Sequence, residues 1–388
     1  MSEVRVNNLS NENNTGGPTI SGITTYSGRH FFVPPVGTTA QRPENCEPGS
    51  LRFNTDTAHL EYFRGDTIGW TEIEAESSEL GGGTSSSNKN SLGARGITGG
   101  SHVYGRTIEF FTVTTAGDSQ DFGDLTEAAG YSNGKSVATT SKMLFAGGYY
   151  KNAIEFITVA TTGNSQDFGD LTVQRLECSS CNDTIRGIWA GGQGPGHSAV
   201  NTMDYVSISS SGNAEDFGDL VQQKTCQASS NSSTRGFWRR SNSPLSPTAT
   251  FDSVILRSTG NAVNFFDMAN NETTLGGGGC NATRGIYAGG YITNNMHYIN
   301  LHSTGDSIDF GDQYQRAYSG TSATSSTRYC HVGGTNYVNV DGSHTYPAIN
   351  VIQTVQFATL GNTVDFGDMA YLTNNKLAQG NSNEHGGI

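Results

Sequence analysis

Five times along the chain an acid, an aromatic and a glycine stand together as Asp-Phe-Gly-Asp, at 121–124, 167–170, 216–219, 309–312 and 365–368. In phosphoryl-transfer enzymes an Asp-Phe-Gly triplet places a carboxylate on magnesium, but it occurs once there and needs a catalytic-loop Asp and a strand Lys elsewhere. Repetition argues instead for a structural role. Asp accepts backbone amides in a turn, Phe fills space between neighbouring units, and Gly allows close backbone approach. Asp118, Asp121 and Asp124 gather carboxylates near one turn, yet without the spacing of a known calcium loop. Cys178-Ser-Ser-Cys181 is the one close pair among Cys46, Cys178, Cys181, Cys226, Cys280 and Cys330. A zinc site needs a second pair or nearby histidines, so free and partly buried thiols are expected. No residue is therefore assigned to catalysis, a cofactor or a metal, and the expectation is that the chain is not an enzyme.

The elements that position these tetrads repeat as well. A Gly-Asn or Gly-Asp pair precedes each tetrad, at Gly117, Gly163, Gly212, Gly260, Gly305 and Gly361, and the fourth tetrad in chain order is the degenerate Asn264-Phe265-Phe266-Asp267. The copies recur every 45–56 residues, the period of a four-stranded propeller blade. Before each pair, three apolar columns run through Ile108, Phe111 and Val113 and their counterparts, such as Ile154, Ile157 and Val159. The last two columns lie two residues apart, which is strand alternation. The position after the first column is polar: Glu109, Glu155, Asp204, Asp252, His297 and Gln353. It is expected to lie on a face that does not pack. The glycine and its Asn or Asp partner allow a sharp turn after the strand.

Upstream stands a second signature, Arg95-Gly96-Ile97-Thr98-Gly99-Gly100, Arg186-Gly187-Ile188-Trp189-Ala190-Gly191-Gly192 and Arg284-Gly285-Ile286-Tyr287-Ala288-Gly289-Gly290, with weaker copies at 142–148, 235–240 and 328–334. A short strand ending in Gly-Gly, a variable loop and a second strand resemble the kelch repeat of β-propellers. The resemblance covers about residues 91–388. Phe122, Phe168, Phe217, Phe265, Phe310 and Phe366 stand where kelch repeats usually carry Trp, the mark of a diverged member. The implied fold is all-β: a six-bladed kelch-like propeller over 94–388. Residues around 377–388 are expected to close the ring by pairing with Arg95–Gly100, and the recurring Arg to bridge to an Asp of a tetrad.

Net charge of −13 repels phosphate backbones, so nucleic acid is not expected as a partner. No stretch has the apolar length of a membrane span, and the first residues lack the pattern of a cleaved secretory signal, so no membrane insertion is expected. Residues 1–50 read as an extended arm, 51–76 as a small β-hairpin module, and 77–93, SSELGGGTSSSNKNSLG, as a Gly/Ser-rich linker.

Gly37-Thr38-Thr39, Arg42-Pro43, Gly49-Ser50-Leu51-Arg52-Phe53-Asn54-Thr55-Asp56, Leu60-Glu61-Tyr62-Phe63 and Trp70 resemble a small β module in structural proteins of tailed bacteriophages, where it precedes a fibre or receptor-binding part. The wording from Gly22 to Pro35 is similar to virion proteins of phages of marine cyanobacteria. The resemblance implies a non-enzymatic virion protein, made in the host cytoplasm and present in several copies. Phe53, Leu60, Tyr62, Phe63 and Trp70 would dock it to other virion proteins, and the propeller would be displayed as fibre, spike or decoration. The alternative is an adhesin that binds a host glycan or receptor. Loops that differ between repeats would form its face, with Tyr104, Tyr149, Tyr150, His197, Arg239, Arg240, Tyr291, Tyr337, His344 and Tyr346 as candidates.

Overall fold

The structure is a computed structural model that describes residues 34–57, 59–73, 94–101, 105–126, 134–149, 151–223, 225, 228–239, 250–267, 277–290, 293–341, 343–370 and 378–385. The chain divides into two compact units, Met1–Ser77 and Ser78–Ile388.

The first unit is a sheet of β1 (Val36–Gly37), β2 (Leu51–Asn54), β3 (His59–Phe63) and β4 (Trp70–Ile73), in that order. It takes in Val36–Gly37, which the sequence reading left in the arm. β1 runs parallel to β2, and the remaining pairs are antiparallel.

The second unit is all-β with almost no helix, and its sheets fit a propeller-like arrangement. Each repeat forms an up-and-down sheet; in the third, Ser179–Asn182, Arg186–Ala190, Thr202–Ser207 and Glu215–Asp219 lie side by side. The first repeat takes its inner strand from the other end of the sequence. Gln379–Ser382 pairs antiparallel with Arg95–Ser101, Asn381 standing opposite Ile97, as expected of the segment 377–388.

The apolar columns explain where the core lies. Each cluster joins one repeat to the next: Ile97, Ile108 and Phe122 meet Met143, Ile157 and Val159. The series ends with Ile352, Phe366 and Met369 of the sixth repeat against Phe111 and Val113 of the first. Within the seams, the tetrad aromatics meet a second ring edge-on, as Phe122 does with Phe110 and Phe310 with Tyr298.

Two sets of hydrogen bonds follow the same path. The Gly163 amide donates to the Phe122 carbonyl at 2.7 Å, and Asn164 Oδ1 accepts from the Asp124 amide at 3.0 Å. The turns at Gly212, Gly260 and Gly361 likewise dock on the tetrads before them, and the Gly117 turn docks on the last tetrad through Phe366 at 2.9 Å. Gly367 has φ of 156°, and a Cβ there would lie 2.3 Å from the Gly117 carbonyl oxygen, so the tetrad glycine admits the neighbouring turn. Near the axis, inner strands of small polar residues bond in sequence. Asn182 Nδ2 donates to the Ala138 carbonyl at 2.6 Å, Asn231 Nδ2 to that of Asn182 at 2.6 Å, and Thr324 Oγ1 to that of Cys280 at 2.8 Å. Ser382 Oγ donates to Thr324, and Asn381 Nδ2 to the Ser136 carbonyl at 2.5 Å.

Two expectations are corrected. The polar column does not face solvent: Glu109, Glu155, Asp204, Asp252, His297 and Gln353 are all buried. Each sits at a register shift in its strand, and four of them receive the amide of a segment that follows the preceding tetrad. Glu155 takes the Thr126 amide at 3.0 Å, Asp204 that of Thr172 at 3.2 Å, Asp252 that of Val221 at 3.2 Å and Gln353 that of Gln315 at 3.2 Å. Nor does the recurring Arg bridge to a tetrad Asp. Arg95, Arg186, Arg284 and Arg328 lie over Phe110, Tyr205, Tyr298 and Phe366, and Arg95 Nη1 donates to the carbonyl of Val159 in the next repeat at 2.8 Å. The flat cation keeps a ring face and a carbonyl together without desolvating a carboxylate.

Deleting 377–388 removes the strand that completes the first sheet, so the shortened protein is expected to lose its single cooperative melting transition; an unchanged melt would show that this strand closes nothing. Arg175 and Asp204 are a fully buried ion pair at 2.7 Å. Arg175→Met leaves the carboxylate buried without its cation and is expected to cost about 3–5 kcal/mol in urea denaturation; an unchanged midpoint would show that the pair contributes nothing.

Candidate functional site

Of the residues placed on the loop face, Tyr104, Tyr150, Arg240 and Tyr291 lie outside the described residues. Tyr149 is exposed on the turn after Gly148, and His197 is exposed in a short turn of 3-10 helix, Pro195–His197. Arg239 is a correction. Expected on the loop face, it instead pairs with Phe251 inside the sheet, as Ala190 pairs with Met203. It therefore holds the buried alanine column, is only 5% exposed, and does not belong to a surface.

The structure does bring Tyr337, His344 and Tyr346 together. In the sixth repeat the second and third strands, Arg328–Thr335 and Ala348–Gln356, continue pairing past a register shift. They carry an extra hairpin, Val338–Val340 with Ser343–Thr345, whose tip residue Asp341 has φ of 50°. Its base is tied down: Thr335 and Tyr318 exchange backbone bonds of 2.7 and 2.9 Å, and the Asn336 amide donates to the Pro347 carbonyl at 2.9 Å. Arg316 Nε donates to Asn336 Oδ1 at 3.1 Å, and its Nη2 donates to the Tyr337 carbonyl.

On this base four rings form a row. Tyr318 meets Tyr346 edge-on with centroids 6.3 Å apart, Tyr346 lies 5.7 Å from Tyr337, and Tyr337 stacks on His344 at 5.6 Å and 20°. The Tyr337 hydroxyl and His344 Nδ1 are 2.6 Å apart. Tyr318 was missed by sequence reasoning, because it precedes an inner strand and belongs to no loop of the variable set.

The residues assigned to docking split between two faces. Arg52, Asn54, Glu61 and Phe63 point one way and are buried, whereas Leu51, Phe53, Leu60 and Tyr62 point the other way. Leu51 is 41% exposed and Phe53, Leu60 and Tyr62 are half-buried, so the more apolar face is the more open one. Phe63 packs on Trp70 at 5.5 Å, and Arg52 lies over that indole; Phe63 is buried and Trp70 half-buried.

The buried face is an ionic network centred on Glu61. Arg42 Nη2 approaches Glu61 Oε2 at 2.6 Å, Arg52 Nη1 approaches Oε1 at 3.0 Å, and Asn54 Nδ2 donates at 3.3 Å. Asn54 also donates to Thr39 Oγ1 at 2.9 Å, and Asp56 Oδ2 takes the Thr39 amide at 2.9 Å. Burial pushes the Glu61 carboxyl up, but the bonds from Arg42 and Asn54, with the charges of Arg42 and Arg52, outweigh it and hold the group below its ordinary range.

Other titratable groups serve packing. Burial pushes the His331 imidazole down to about 4, and the ring is packed among Gly277, Gly320 and Tyr329. Cys178, Cys181, Cys280 and Cys330 are buried free thiols. Asp118 Oδ1 accepts the Asp368 amide at 2.9 Å, which occupies a carboxylate of the acidic turn. Among the described residues, no group of three or more His, Cys, Asp or Glu side chains is placed to hold a metal ion.

No family model and no curated protein matches the chain. A solved structure described as a novel fungal alcohol oxidase with catalytic diversity among the AA5 family, in complex with copper, aligns with 71% of this chain at 11% identity and a TM-score of 0.47. The chain spans 63% of that protein's length. That protein is an enzyme, which stands against the expectation that this chain is not one; at this distance the likeness assigns no activity to these residues.

The Glu61 network carries a pH prediction. Because the folded carboxyl is held low, its stabilisation is present above about pH 4.5 and is lost as pH falls through the folded value. Hydrogen exchange of the β2 and β3 amides, corrected for intrinsic rate, is expected to accelerate in acid. Glu61→Gln is expected to be faster already at neutral pH and to lack the acid step; the same acid step in the variant would exclude Glu61 as its source.

Proposed function

We propose that this chain is a virion structural protein of a tailed bacteriophage, in which the N-terminal sheet docks on the particle and a six-bladed, kelch-like propeller is displayed. One observation carries the reading. The residues behind the resemblance to phage structural modules, Thr39, Arg42, Arg52, Asn54, Asp56 and Glu61, are those that interlock in the first unit. Spending polar side chains on the buried face leaves Leu51, Phe53, Leu60 and Tyr62 for a partner, and a four-stranded sheet of this size gains stability from one. Other virion proteins are the partners, and several copies per particle are part of the proposal.

A second reading, host attachment through the loop face, is favoured by the row of rings on the sixth hairpin.

The test uses the full chain, immobilised and exposed to disrupted particles of its phage. Wild-type protein is expected to capture virion proteins, and Leu51→Glu with Tyr62→Glu to reduce capture at least about tenfold while the melting temperature of the ring is kept. Capture by the variant equal to wild type removes the assigned face; no virion protein captured by either removes the phage reading.

A further inference from the structure

We infer that the row Tyr318, Tyr346, Tyr337 and His344 is a binding site for a neutral saccharide. The inference rests on the host-attachment reading and not on virion docking. It names the site and the chemical class of its ligand.

The row is built rather than incidental. The second and third strands of the sixth sheet have 8 and 9 residues, against 5 and 6 in the third repeat, and the added length serves to raise the hairpin. Arg316 is used at the base, where it fixes Asn336 and the Tyr337 carbonyl. Four aromatic rings then line up with neighbouring centroids 5.6–6.3 Å apart. Exposing tyrosines loses apolar burial, yet Tyr346 is 38% exposed and His344 lies in the open beside it.

The ligand class follows from the polarity of the row. When the Tyr337 hydroxyl donates to His344 Nδ1, the neutral imidazole carries its proton on Nε2 and presents a donor, while the tyrosine oxygen keeps acceptor capacity. The three tyrosine rings bring no formal charge, and each offers an apolar face with a polar edge. A sugar ring has the matching form: C–H groups on its faces and hydroxyls around its rim. The row itself holds no carboxylate or guanidinium, and Arg316 spends Nε and Nη2 on Asn336 and the Tyr337 carbonyl at the base. A single row of rings is also narrow beside a standard protein interface, which buries about 800 Å² on each partner.

The experiment uses the full chain against host cell envelopes, untreated, protease-treated and periodate-oxidised, followed by an array of neutral and acidic oligosaccharides. Wild type is expected to bind untreated and protease-treated envelopes, to lose binding after periodate, and to retain neutral oligosaccharides on the array. Tyr346→Ala and His344→Ala, both on exposed hairpin positions, are expected to weaken retention at least tenfold with an unchanged melting temperature. Tyr149→Ala, elsewhere on the surface, is expected to bind as wild type. Periodate-sensitive binding that survives both hairpin substitutions moves the site elsewhere and overturns this assignment alone. Binding lost to protease but not to periodate overturns the ligand class in favour of a protein. Absence of any envelope binding removes host attachment and this site with it.

Discussion

Every repeat in this protein is completed by the one beside it, and the rest of the structure depends on that dependence running full circle. The apolar clusters lie between sheets, the Gly-Asn turn of one repeat bonds to the tetrad of the one before, and the inner-strand side chains reach neighbouring carbonyls. An open series would expose one seam at each end. Here the sixth repeat meets the first through Phe366 and Phe111, and Gly117 donates to the Phe366 carbonyl. With each unit supporting the next, stability has the nearest-neighbour character of repeat proteins, but with no terminal unit to fray.

Much of this was legible from residue types. Period-two columns identified the strands, the spacing of Gly-Asn pairs gave the repeat length, and the segment 377–388 was expected to pair with Arg95–Gly100 where the ring joins. What one strand cannot reveal is what covers it. Glu155 stands in a polar column that reads as a wet face, and only the neighbouring segment at Thr126 turns it into a buried acceptor. The recurrent Arg has the same limitation. Its charge suggested a carboxylate, whereas its partners are a ring in its own sheet and a carbonyl in the next. Arg239 shows a third kind of limit, since a one-residue shift in alignment moves a side chain from loop to core.

The candidate sites divide in the same way. Alternation in Leu51-Arg52-Phe53-Asn54 announced two faces, and Phe53, Leu60, Tyr62, Phe63 and Trp70 were expected together on a docking surface. The structure divides them: Arg42, Arg52 and Asn54 gather around Glu61 on the face that also buries Phe63, while Phe53, Leu60 and Tyr62 stand on the other. On the larger unit, tyrosines scattered over several loops were read as one ring-shaped surface. Among the described residues, those near residue 340 are brought together, through a hairpin whose strands are long enough to reach out and whose base is tied to Tyr318.

The turn-to-tetrad bond has an evolutionary side. Repeats that keep the tetrad glycine offer the same acceptor edge to the turn that follows, so each of these is an acceptable neighbour for the others. A duplicated or deleted gene segment of one period would create no mismatched join, and the circumference would be free to change while the joins stayed the same. Such modularity also relieves individual loops from structural duty. A single repeat can then acquire a new insertion, as the sixth has done, without its five sisters having to change.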